Sequence, residues 1–273
     1  MASSLFLPAA ARRAAGLLAC LLVACGLLAC SSTRVDTSGL RSDAARERRW
    51  ADEIVPALLV GEAVWLQAPG PQPKFLGLFA EPARGAKAAR GAVVLVHGLG
   101  VNPDYGVIGS LRTRLADAGY ATLSIQMPVL AAGEPAERYP GLFPEASDRI
   151  GAAVSWLRAK KYRRIVLVSH SMGARMANHY LGRNPEAPIA AWVALGISSG
   201  EFEPGTAGRV PIYDVYAEHD LPAVLAGVPE RARVLSRVPG SRQAMVYGAD
   251  HYFTRKEKEV GTLIEMLLER PGA

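Results

Sequence analysis

The chain has 273 residues, half of them apolar, enough to bury the core of one domain and marginal for two. Lysines and arginines outnumber acids 31 to 25, yet they are scattered and lie beside acids, as in Arg46-Glu47-Arg48-Arg49 and Arg255-Lys256-Glu257-Lys258-Glu259. The surplus is a solvated surface, without the basic face and interleaved aromatics that a nucleic acid requires, and the cationic run Arg158 to Arg164 reads as a helix end.

Residues 1–29 read as an export signal: Arg12-Arg13, then an uncharged run from Ala14 to Cys30. The run falls short of the about 20 apolar residues a spanning helix needs. Leu27-Leu28-Ala29-Cys30 resembles a bacterial lipobox, which implies that Cys30 is lipidated and becomes the first residue after cleavage. Leu17 to Cys20 and Leu22 to Cys25 compete, but Cys30 leaves the longest apolar core and precedes the polar Ser31-Ser32-Thr33. Ser31 resembles the outer-membrane sorting pattern, so a lipid anchor facing the periplasm is expected. No cysteine follows Cys30, which leaves the exported protein without a disulfide or thiol chemistry.

A polar linker over 30–60, with an Arg/Glu-rich solvated helix leading away from the membrane, should then join a domain over 61–273. Glu62 to Gln67 and Lys74 to Glu81 read as two strands of an antiparallel edge, separated by the proline-rich turn Ala68 to Pro73. From Gly91 strands alternate with helices, the sign of a parallel α/β sheet. Ala92 to Val96 is a buried strand ending in His97-Gly98-Leu99-Gly100, and Val107, Ile108, Leu111, Leu115 and Ala118 mark the helix after it. Ala121 to Met127 is the next strand, followed by a loop from Pro128 to Pro144 and a helix with Ile150, Ala153, Val154 and Leu157 on one face.

Arg164 to Val168 is another buried strand, passing through Ser169-His170-Ser171-Met172-Gly173 into a helix that carries Met176, Ala177, Tyr180 and Leu181. Further strands over Ile189 to Ile197, Pro211 to Ala217 and Arg242 to Tyr247 end near Asp220 and His251, and a helix with Val260, Leu263, Ile264 and Leu267 closes the chain.

Strand, tight turn and helix around Ser171 resemble the nucleophile elbow of the α/β-hydrolases, G-x-S-x-G, with Ser169 in place of the first glycine. In open α/β sheets reactive groups gather outside the carboxyl ends of the strands. Four strands here end in His97-Gly98, Ser171, Asp220 and His251, and Ser, Asp, His is the chain order of the hydrolase triad. Ser171 is then the nucleophile, His251 its base, and Asp220 the group that holds the imidazole. The amides of Met172 and Leu99 are the expected oxyanion donors.

Glu218 and Asp214 are rival acids, the latter inside its strand, and Asp220 is also placed to cap a helix. Asp250 suits a local cap, His170 is expected to point away from the site and pack, and His97 to hold its loop. His179 and His219 lack partners at metal-ligand spacing, so neither metal nor cofactor is inferred.

The resemblance to the α/β-hydrolases runs from Leu76 to Leu268. Four stretches, His97 to Val101, Ser124 to Pro128, Leu142 to Ala146 and Ser169 to Met176, are similar to an uncharacterised bacterial hydrolase family known only as a domain of unknown function. The resemblance implies the fold and a triad without a substrate.

The connection Ser198 to Val210 is too short for a lid domain. The site should be open or partly roofed by the Pro128–Pro144 loop, with Leu130, Tyr139, Leu142 and Phe143 lining an apolar wall or packing beneath it. The reading is a serine hydrolase acting on a small-molecule or envelope acyl substrate. The alternatives are a thioesterase or acyltransferase, or an envelope protein that binds without turnover.

Overall fold

The computed structural model describes residues 39–269 except 84, 200, 204, 207 and 209. The export signal, the lipobox and Cys30 lie outside the described residues.

Eight strands form one mixed sheet in the order β1-β2-β4-β3-β5-β6-β7-β8. Strands β1 (Glu62–Leu66) and β2 (Phe75–Ala80) pair antiparallel, and β2 pairs antiparallel with β4 (Ala121–Ile125). The remaining strands, β3 (Ala92–Val96), β5 (Ile165–His170), β6 (Ala191–Leu195), β7 (Ile212–His219) and β8 (Arg242–Asp250), run parallel.

The continuous apolar runs have a direct cause. In β3, Ala92, Val94 and Val96 enter the core on one face while Val93 and Leu95 enter the core on the other. In β5, Ile165 and Leu167 face the first and Val166 and Val168 the second. Side chains alternate along a strand, so a strand covered on both faces needs an apolar residue at every position.

Helices α3 (Phe143–Ala159) and α4 (Met172–Arg183) cover the first face; α2 (Gly106–Asp117) and α6 (Glu257–Leu268) cover the second. Pro144 at the start of α3 suits a position whose amide has no intrahelical acceptor. Helix α5 (Pro222–Leu235) was not evident in the sequence, because Gly227 and Pro229 interrupt its pattern. It too begins with a proline.

The described part of the 30–60 stretch contains α1 (Ala44–Ala57), capped by the Asp43 carboxylate on the Arg46 amide at 2.9 Å. It docks along one side on the domain, while most of its other residues stay exposed. Ala51 packs against Leu76 and Leu78 of β2. Glu47 joins Arg149 of α3 at 3.0 Å, and Arg149 also holds Glu145 at 2.6 Å. This network is almost fully buried, and both partners of the arginine lie within reach of its fork.

Candidate active site

Strand β5 ends at His170 and α4 starts at Met172, so Ser171 alone turns the chain. It has φ 55° and ψ −122°, a region that residues with a Cβ seldom enter. Its amide is tied to the Leu195 carbonyl of β6 at 2.9 Å. A Cβ on Gly173 would come within 2.2 Å of the His97 carbonyl oxygen, so glycine is what lets α4 seat against the end of β3.

Asp220 and His251 directly follow β7 and β8, and the three side chains meet. Ser171 Oγ lies 2.8 Å from His251 Nε2, and His251 Nδ1 lies 2.5 Å from Asp220 Oδ1. Asp220 also accepts from the amides of Ala217 at 2.9 Å and Leu221 at 2.8 Å. Burial acts to raise its pKa, but the hydrogen bonds from His251 and the two amides prevail and hold the carboxyl below its usual value. An ionised Asp220 makes Nδ1 the protonated ring nitrogen and leaves Nε2 to accept the serine hydroxyl.

The rival acids are engaged elsewhere. Asp214 forms a fully buried pair with Arg231 at 2.8 Å. Glu218 accepts from the Gly248 amide at 2.8 Å, and Asp250 closes a local turn by accepting from the amides of Tyr252 and Thr254. Strand β7 runs to His219, further than expected, which puts Glu218 inside the strand and Asp220 just beyond it.

His97 holds its loop as expected. Its Nδ1–H donates to the Gly98 carbonyl at 2.9 Å while Nε2 accepts from the Met127 amide at 2.9 Å. Burial lowers its pKa to about 4, so the ring is neutral. Leu99 follows Gly98, where an added Cβ would lie 3.2 Å from the Ser171 Cβ. Met172 opens α4, where the first amides have no intrahelical acceptor. Among the described residues no group of three His, Cys, Asp or Glu side chains is arranged to hold a metal.

More than 1,000 chains of solved structures match this fold. A dienelactone hydrolase from Anabaena variabilis is 20% identical with a TM-score of 0.59, over 75% of this chain and 94% of its own. An α/β serine hydrolase without lid from Xanthomonas campestris is 14% identical with a TM-score of 0.55, over 78% and 95%. A thermophilic esterase from Thermogutta terrifontis is 13% identical with a TM-score of 0.57, over 78% and 100%.

The fold is that of the α/β-hydrolases. Residues 36–147 match the model of a family described as "Protein of unknown function (DUF3530)", a match that includes the His97 loop and stops before Ser171. No curated protein matches the chain in sequence.

On this hydrolase fold the structure places four features that the sequence did not reveal. His170 is buried but does not point away: its ring lies beside His251, centroids 5.0 Å apart, and Nε2–H donates to the His251 carbonyl at 2.9 Å. Burial lowers its pKa to about 4. Gly196 leaves room beneath the pair, since a Cβ there would lie 3.2 Å from the His251 ring and 3.3 Å from Asp220. Ser169, at the first glycine site, accepts from the Trp192 indole.

The fourth is a cavity of about 150 Å³ beside Ser171, bounded by Val101, Tyr105, Val107, Ile108, Leu221 and Tyr252. No residue of the Pro128–Pro144 loop lines it. Leu130, Tyr139, Leu142 and Phe143 pack into the core beneath that loop.

Proposed function

We propose that the protein is a serine hydrolase that cleaves short-chain carboxylic esters through an acyl-enzyme on Ser171. The observation that carries this reading is the unbroken line of hydrogen bonds from Ser171 Oγ through His251 to Asp220. A serine hydroxyl is a weak nucleophile until a base within hydrogen-bond reach accepts its proton.

In the first half-reaction Oγ bonds to the acyl carbon as its proton passes to His251 Nε2, and the carbonyl oxygen takes the negative charge. The amides of Leu99 and Met172 donate to that oxygen. Collapse breaks the bond to the leaving oxygen, which departs with the proton from His251. Water repeats the sequence on the acyl-enzyme, with His251 again as base, and releases the acid and the free serine. Asp220 keeps the ring in the required tautomer throughout.

The small cavity supports a short acyl group. Its walls carry no Asp, Glu, Lys or Arg, which supports an uncharged substrate. The fold shared with a dienelactone hydrolase and an esterase agrees with ester chemistry. The signal read over 1–29, with lipidation at Cys30, supports an outer-membrane lipoprotein facing the periplasm and acting on a small-molecule or envelope acyl substrate.

A fluorophosphonate probe tests the reading. Wild-type protein should label and hydrolyse short-chain p-nitrophenyl esters faster than acyl thioesters, and Ser171→Ala should do neither. Labelling that survives in Ser171→Ala excludes this serine as the nucleophile. Membrane attachment lost in Cys30→Ser and kept in Cys25→Ser supports the anchor; the reverse moves it to Cys25.

A further inference from the structure

The first helix reaches the catalytic loops through one side chain. Arg46 of α1 donates from Nη2 to the Gly100 carbonyl at 2.9 Å and from Nη1 to the Leu130 carbonyl at 2.8 Å. Its guanidinium lies over the Trp50 ring, 4.6 Å from the centroid, so one planar fork bridges two loops and is backed by an aromatic face. The same stretch of chain fastens the second loop independently: Asp43 N donates to the Val129 carbonyl at 2.8 Å, and the Val129 amide donates to Ser42 Oγ at 2.7 Å. Leu130 in turn donates from its amide to the Tyr139 hydroxyl at 3.3 Å.

Gly100 sits one residue past Leu99, whose amide is an oxyanion donor in the function proposed above. In a trans peptide the N–H points opposite to the C=O. The Gly98 carbonyl is held by the His97 ring, which aims the Leu99 N–H from the near side. On the far side Gly100 has φ +64°, and glycine is the residue with most freedom to leave such a conformation. What restrains it is the hydrogen bond from Arg46 to its carbonyl.

We infer that Arg46 is a positioning residue for the oxyanion amide of Leu99, and that α1 is therefore part of the catalytic unit. This rests on the serine-hydrolase reading of Ser171. Arg46 touches neither the substrate nor the reacting atoms. Its effect is on how well an already formed site meets the tetrahedral oxyanion, which differs between ground and transition states. The substituted enzyme therefore binds ester normally and turns it over slowly.

The test compares wild type, Arg46→Ala, Arg46→Lys and Glu53→Ala, an exposed change on the same helix. Rates on a short-chain p-nitrophenyl ester are divided by active sites counted with a fluorophosphonate, which removes any loss of folded protein. Arg46→Ala should lower kcat per site by about 10- to 100-fold, the scale of a small misplacement of a catalytic group, with KM changed by less than about twofold. Inhibition by a trifluoromethyl ketone, which mimics the tetrahedral state, should weaken by the same factor as kcat/KM. Arg46→Lys should recover part of the rate, because an ammonium reaches one carbonyl where the fork reaches two, and Glu53→Ala should match wild type. An Arg46→Ala enzyme with wild-type kcat per site and wild-type ketone affinity overturns the inference and leaves the serine hydrolase standing. A wild type that neither labels nor turns over overturns the hydrolase reading and this inference with it.

Discussion

The buried indole of Trp192 on β6 donates its Nε1–H to the hydroxyl of Ser169 on β5 at 2.8 Å, directly beneath the turn that carries Ser171. The residue that departs from the G-x-S-x-G pattern is thus the hydrogen-bond partner of a fully buried tryptophan. Restoring the glycine leaves the indole N–H without that acceptor. Ser169→Gly should lower stability by about 1–3 kcal/mol, the cost of an unsatisfied buried donor. Urea denaturation measures it, and a variant as stable as wild type contradicts this role.

Asp220 and Glu218 separate by kinetics. Asp220→Asn should lower kcat by about 10⁴-fold, because an amide holds the imidazole in the wrong tautomer. Glu218→Ala removes a hydrogen bond to the Gly248 amide and a 3.8 Å contact with His219, both outside the Ser171–His251–Asp220 line, and should keep wild-type kcat. The reverse pattern would make Glu218 the acid.

Acid should weaken the fold in a defined window. His97 and His170 are lowered from 6.5 to about 4 by burial. Between those values the unfolded chain binds protons that the folded chain does not, so stability rises with pH. It is fully present above pH 6.5 and is lost as pH falls towards 4, at about 1.4 kcal/mol per pH unit for each ring. Urea midpoints taken through this range should show the decline, and His170→Gln should make it shallower by one ring's share. An unchanged slope in that variant shows that the ring titrates freely.

Arg231 and Asp214 are both inaccessible to solvent and bonded at 2.8 Å. Removing Arg231 leaves the Asp214 carboxylate buried without a counter-charge, with Gln243 as its remaining side-chain donor at 2.8 Å. Arg231→Met should cost about 3–5 kcal/mol, whereas Arg231→Met with Asp214→Asn should recover much of it, since no ionised group is then left buried. Equal losses in the single and double variants would place the cost in packing instead of charge. Burial already pushes the Asp214 carboxyl up against the pull of Arg231.

The sequence alone disclosed the alternation of strands and helices, the antiparallel edge at β1 and β2, and the order of Ser171, Asp220 and His251 along the chain. These are legible because side-chain periodicity is local: a strand buried on both faces must be apolar throughout, and an amphipathic helix repeats every three to four residues. The sequence pattern stops short of the ends of β7 and β8, because the polar His219 and Asp250 pair with each other beyond a register shift between Ala217 and His219. Helix α5 was hidden by its internal glycine and proline.

Only the tertiary structure decided what stands beside what. The bond from Arg46 to Gly100 spans 54 positions and that from His170 to His251 spans 81, and no local pattern encodes either. The same holds for the partner of Ser169 and the walls of the cavity. Which side chains meet depends on strand order and register, and moving a strand by one residue turns every side chain to the opposite face. Composition and spacing therefore determined which chemical groups the chain places at its turns, and packing determined which of them touch.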